Sequence, residues 1–173
     1  VRGFSEFWII DRGSSGDIQY RWGNPEAYGR GTEEDKTLFK QHNCHWIESG
    51  MPGEGEVLIY NNGNDRPEGL YSTIDQIKLP QLVNGEFPIE ENIPYGPVNS
   101  EWTYPEILDI EFFSQNVSGA QRLQNGNTLI CEGASGHIFE VTEIGEKVWE
   151  YINPVTIWGA LHQGTDPTIN SVF

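Results

Sequence analysis

Residues 118–142 read SGAQRLQNGNTLICEGASGHIFEVT, and residues 145–154 continue as GEKVWEYINP. Asn125-Gly126 sits between two apolar runs, the strongest short hairpin signal, because both central residues of the favoured turn need positive φ. A second turn falls over 133–136. Strands are therefore expected at 118–123, 127–132, 137–144 and 146–152, four in an antiparallel row.

Working outward, the last of these strands has two relatives. GDIQYRWGNP at 16–25 carries the same alternating aromatics and the same Asn-Pro stop, and SEWTYP at 100–105 falls between the two. The shared Trp-x-Tyr pattern places Trp102 and Trp149 at equivalent outer-strand positions, with both aromatics of each pair on one face. The segments upstream recur as well. Residues 136–144 align with 69–77, 127–131 with 56–60, and 120–123 with 44–47, while 5–11 is a fainter version. A unit of four short strands repeating at roughly 40 to 50 residues is the pattern of a β-propeller blade, whose faces are buried only against neighbouring blades.

The expected fold is thus all-β, a β-propeller of four-stranded antiparallel blades present as about two and a half blades. Residues 1–25 supply the outer strands of a partial blade and 26–40 an inter-blade connection, in which Thr32-Glu33-Glu34-Asp35 can cap one helical turn. A full blade spans 41–104, with a long Pro-rich insertion at 78–99 of the kind that lies on a rim. Residues 105–117 connect it to a second full blade, 118–154, and 155–173 begin another. So few strands cannot close a ring. The chain starts at Val1 without Met and stops in what reads as a new strand, so both ends are expected to be cuts, with the remaining blades supplied by the same or another chain.

Composition agrees with short strands and many turns: 36% hydrophobic, 12% aromatic, 20 Gly and 10 Pro. The formal charge of −16, without a basic run, argues against nucleic acid as a partner. No apolar run is long enough to span a membrane, and no signal peptide is present. Cys44 and Cys131 fall in predicted strands and read as buried free thiols rather than a bridge or a zinc site. Asn116-Val117-Ser118 fits the N-glycosylation pattern, and 61–66 (NNGNDR) is a turn whose oxygens lack the spacing of a calcium loop. No metal site and no cofactor are expected.

The innermost strand of a blade lines the central channel, so its polar residues are the candidates for chemistry. In the first full blade that strand is QHNCHWI, residues 41–47. His42 and His45, three apart, point to opposite faces of a regular strand, unless a bulge turns one of them. His45 takes the place of Gln121 in the next blade. Its functional reading is a nucleophile, proton donor or anion binder, and its plain reading a channel-lining histidine bonded to neighbouring blades. Arg122, one of ten Lys and Arg residues, reads as an anion or carboxylate binder, or as the partner of a nearby Glu.

Residues 16–31 (GDIQYRWGNPEAYGRG), 41–47 followed by 57–63 (VLIYNNG), and 118–142 together resemble the aryl-sulfate sulfotransferase family, and the similarity runs through nearly the whole chain. The resemblance implies a periplasmic or extracellular propeller that moves a sulfuryl group from an aryl sulfate to another phenol without a nucleotide cofactor. A channel histidine there attacks sulfur, and neighbouring side chains hold the sulfuryl oxygens. His45, with His42 as the second candidate, matches the family's histidine ahead of a hairpin, and Arg122 and Gln121 are the candidates for anion binding. The next blade has Gln121 where a further histidine would fit the family better. The alternative from the repeat alone is a non-catalytic propeller used as a binding or structural module. A quinone-dependent dehydrogenase propeller would need a tryptophan-docking repeat and a calcium site, and neither is seen.

Overall fold

The computed structural model describes residues 1–13, 16–106, 109, 111–156 and 159–165. The chain is all-β. Strands β1 (Phe7–Ile10) and β2 (Ile18–Trp22) form a hairpin, and β3 (His42–Trp46), β4 (Val57–Asn61), β5 (Thr73–Ile77) and β6 (Trp102–Tyr104) form a four-stranded antiparallel sheet. A second such sheet contains β7 (Ser118–Arg122), β8 (Thr128–Glu132), β9 (His137–Val141) and β10 (Lys147–Ile152), followed by a short hairpin of β11 (Val155–Thr156) and β12 (Gly159–Ala160). In both sheets the strands lie side by side in chain order. The Asn125-Gly126 hairpin forms where expected, but of its two central residues only the glycine has positive φ. Gly126 has φ 90°, and Asn125 Oδ1 accepts the Asn127 N–H at 3.0 Å, an Asx turn that fixes the β7–β8 register.

The ladders define the repeat more sharply than the sequence does. One row of the first sheet runs His45, Leu58, Gln76, Trp102, and its counterpart in the second runs Gln121, Leu129, Glu140, Trp149. Trp102 and Trp149 are equivalent, as are His45 and Gln121. The third strands need a correction. Alignment of 136–144 with 69–77 sets Val141 against Ile74, whereas pairing sets it against Ile77, since Thr128 faces Val141 where Val57 faces Ile77. The cause is the connection from β4 to β5, which is longer than the β8–β9 turn and shifts the match.

Packing follows the two-residue period of a strand. On β4, Val57 and Ile59 join Phe7, Tyr20, Trp22, Leu38 and Ile77 in a core against the β1–β2 hairpin. Leu58 and Tyr60 point the other way, into a core with Ile74, Phe112, Ala120, Ile130, Phe139 and Val141 of the second sheet. The first sheet is thus a filled middle layer, and each such buried aliphatic side chain contributes roughly 1.5–3 kcal/mol relative to exposure. Truncating Ile59, fully buried, to Ala would cost about 2–5 kcal/mol.

The connections are tied down by polar groups. Thr32 and Asp35 form a capping box around the 3-10 turn Glu33–Asp35, the Thr32 N–H donating to Asp35 Oδ2 at 2.8 Å. The insertion at 78–99 lies over β2, where Tyr20 donates to the Gly96 carbonyl at 2.5 Å and Trp22 Nε1 to the Pro97 carbonyl at 2.8 Å. The cysteines are free, but they are not the buried thiols expected: Cys44 is exposed and Cys131 half-buried. Cys44 stands where β3 bulges, and among the described residues β3 pairs with β4 alone. The expected beginning of a further blade over 155–173 lies partly outside the described residues. Among those described, no helix is long and apolar enough to cross a membrane.

Candidate functional site

The site is built where β3 and β7 run side by side. β3 is irregular: His42 pairs with Tyr60 and His45 with Leu58, so two residues on β3, Asn43 and Cys44, stand opposite one on β4, Ile59. This β-bulge centres on Asn43, at φ 49°, a conformation asparagine tolerates better than most residues. Tyr60 and Leu58 share a face of β4, so His42 and His45 share a face too. It is the one that meets the second sheet.

Asn43 fastens the bulge to its neighbour. Its Oδ1 accepts the Ala120 N–H at 2.9 Å, and a Cβ on Gly119 would come within 3.1 Å of that oxygen, so a larger residue there would push the Asn43 side chain back by a few tenths of an ångström. The two imidazoles are oriented by their Nδ1 edges. His45 Nδ1 lies 2.9 Å from the Asn43 carbonyl, which can only accept, so the neutral ring carries its hydrogen on Nδ1 and its lone pair on Nε2. His42 Nδ1 lies 2.7 Å from Asn62 Oδ1. The Asn62 amide nitrogen donates to the Ser114 carbonyl at 2.6 Å and to Ser118 Oγ at 2.8 Å, so its oxygen faces His42, which is again Nδ1-protonated.

A cleft of about 370 Å³ opens between the two strands, lined by Asn43, His45, Trp46, Ile47, Glu48 and Met51 on one side and Gly119, Ala120, Gln121, Arg122, Leu129 and Cys131 on the other. His45 and Gln121 are brought together in it. His42 is not part of this lining; it is held in the hydrogen-bond network that joins the sheets.

Arg122 and Gln121 separate by the strand's alternation, Gln121 exposed and Arg122 buried. The Arg122 guanidinium crosses to the first sheet, where Nη2 donates to Gln76 Oε1, Nη1 donates to the Gly126 carbonyl at 3.0 Å, and the group stacks 4.8 Å over the Trp102 ring. Burial lowers its pKa from the ordinary guanidinium value, against the opposing fields of Glu143 and Glu56. Its Nε is buried and has no hydrogen-bond partner. Its nearest polar partner is thus Gln76 rather than a carboxylate.

Sequence reasoning missed Asn43 and Asn62, the residues that fix both rings. The available signal was an asparagine inside an otherwise apolar-and-histidine strand, a place where its side chain bonds backbone locally and tolerates positive φ. Among the described residues no group of three or more His, Cys, Asp or Glu side chains is placed to hold a metal ion. Comparison with protein-family models, with curated proteins and with solved structures returns no match.

Proposed function

We propose that the stacked sheets are blades of a β-propeller acting outside the cytoplasm, and that the cleft between β3 and β7 is one wall of a channel that transfers sulfuryl groups between phenols. The observation that carries this reading is the orientation of His45. Its Nδ1–H is engaged by the Asn43 carbonyl and its Nε2 lone pair is left for an electrophile in the cleft. A nucleophile held this way loses no time in the wrong tautomer.

The chemistry balances without a cofactor. The Nε2 lone pair attacks the sulfur of an aryl sulfate, an N–S bond forms, the S–O bond to the aryl group breaks, and the aryl oxyanion leaves and takes a proton from water. In the return step a deprotonated acceptor phenol attacks sulfur, the N–S bond breaks, and Nε2 regains its lone pair. Sulfur stays in one oxidation state throughout. The imidazolium formed between the steps is supported through Nδ1–H by the Asn43 carbonyl. Arg122 and Gln121 are the anion-binding candidates, and of the two Gln121 presents an exposed amide to the cleft. The remaining cations and the acceptor's base come from blades facing this wall.

The second reading, a non-catalytic propeller that binds or scaffolds, is favoured by Arg122, whose Nη groups serve Gln76, Gly126 and Trp102. Release of donor phenol from an aryl sulfate in the presence of an acceptor phenol, by a chain carrying the further blades, distinguishes the two. Turnover abolished by His45→Ala supports transfer, and no release across a broad donor panel supports the scaffold.

A further inference from the structure

The face of the first sheet that meets the second is closed by specific contacts. Arg122 reaches across from β7 to Gln76 and the Trp102 ring, and the Glu143 carbonyl accepts the Trp102 indole N–H at 2.7 Å. The second sheet has the same face, in the row Gln121, Leu129, Glu140, Trp149 and the row Gly119, Cys131, Ile138, Tyr151. Among the described residues nothing equivalent covers it. Trp149 is 49% and Tyr151 45% exposed, whereas their counterparts in the first hairpin, Tyr20 and Trp22, are 0% and 4% exposed.

The polar groups on this face say what would cover it. Glu140 stands where the first sheet has Gln76, and Trp149 where it has Trp102. Glu140 Oε1 accepts from Asn125 at 3.1 Å and Asn127 at 2.6 Å, both on its own sheet. Among the described contacts Glu140 Oε2 accepts no hydrogen bond and the Trp149 indole donates none. A lipid surface or an apolar helix laid here would bury the Glu140 carboxylate without a cation to pair it. An arginine placed as Arg122 is would stack on Trp149 and pair with Glu140, an ion pair in place of the bond that Arg122 makes to the uncharged Gln76 amide.

We propose that this face of the β7–β10 sheet is the docking surface for a further four-stranded antiparallel sheet of the same repeat, whose innermost strand delivers an arginine onto Glu140 and Trp149. This rests on the blade arrangement in the proposed function and is independent of sulfuryl transfer, so thiol protection and turnover report separately.

Cys131 lies on the same face, free and half-buried, and serves as the reporter. The test compares the 173-residue chain with one in which a second copy of residues 105–154 follows Phe173, the appended copy carrying Cys131→Ser so that the original thiol gives a distinct peptide. Alkylation of each cysteine by iodoacetamide is followed by peptide mass. The original Cys131 is expected to react about tenfold more slowly in the longer chain, because it is exposed only when the docked sheet opens. Cys44 should keep its rate, and Arg122→Ala in the appended copy alone should restore fast Cys131 alkylation. An unchanged Cys131 rate in the longer chain, or protection that survives loss of that arginine, overturns the proposal.

Discussion

His42 and His45, three residues apart on one strand, face the same side of their sheet because the bulge at Asn43 inserts an extra residue between them. The bulge is held by the bond from Ala120 N–H to Asn43 Oδ1. Replacing Asn43 with Ala removes that bond and puts a Cβ residue with no local hydrogen bond at positive φ, so a loss of about 1–3 kcal/mol is expected in urea denaturation. Asn43→Gly restores the backbone freedom but not the bond. It should fall between wild type and Asn43→Ala, and equal losses in the two variants would show that φ strain plays no part.

Arg122 and Gln121 should separate in stability measurements. Arg122→Ala deserts Gln76 Oε1 and the Gly126 carbonyl and uncovers the Trp102 ring, which predicts a loss of about 2–4 kcal/mol. Gln121→Ala changes an exposed side chain and should stay within about 0.5 kcal/mol of wild type. Equal denaturation midpoints for the two variants would contradict the placement of Arg122.

Trp102 and Trp149 test the covered and uncovered forms of one position. Trp102→Phe forfeits the bond to the Glu143 carbonyl and part of the stack under Arg122, for a loss of about 1–2 kcal/mol. Trp149→Phe touches a half-exposed ring and should cost about 0.5 kcal/mol or less. Thermal melts of both variants check this, and a larger cost at Trp149 would reverse the assignment of the open face.

Asp75 gives a pH dependence whose sign is fixed. It is buried and accepts from Asn61 Nδ2 at 3.1 Å and from the Thr73 and Thr103 hydroxyls at 3.0 and 3.1 Å, yet desolvation outweighs these bonds and the field of Arg66, raising its pKa above the usual carboxylate value. A raised folded pKa means that the folded state holds the proton more tightly than the unfolded one. The stability contributed is present below the unfolded pKa and is lost as pH rises through the folded one. Asp75→Asn is neutral at every pH, so the stability of wild type minus variant should grow as pH falls from neutrality towards the ordinary carboxylate pKa. Urea denaturation at several pH values measures this, and a difference that shrinks on acidification would show that the donors outweigh burial.

The strands were legible because the signals are local: Asn125-Gly126 set one hairpin and the Trp-x-Tyr pairs marked the outer strands. Alignment across β5 was not, since equivalent positions there carry Asp75 in one sheet and Phe139 in the other, and an irregular loop precedes the first. His45 was legible as the partner of Gln121 in the repeat. Its neighbour in orientation was hidden, because a bulge depends on the bond between Asn43 and a strand far along the chain, which no periodicity records. The scarcity of cations marks Arg122 as an anion or carboxylate binder or as the partner of a nearby Glu. The aromatic and amide that occupy its guanidinium come from β6 and β5, and only packing brings them together.

The central claim, that His45 Nε2 takes up a sulfuryl group in a channel of which these sheets form one wall, is tested most directly by the covalent intermediate. A chain containing residues 1–173 with the remaining blades is mixed with an aryl sulfate, quenched in alkali within the first turnover, and its peptides weighed, with donor phenol release followed in parallel when an acceptor phenol is added. The account predicts one sulfuryl group on the peptide containing His45, its disappearance as acceptor is consumed, loss of both adduct and turnover in His45→Ala, and no turnover by the 173-residue chain alone. Transfer undiminished in His45→Ala, or an adduct that forms on another residue, would contradict it.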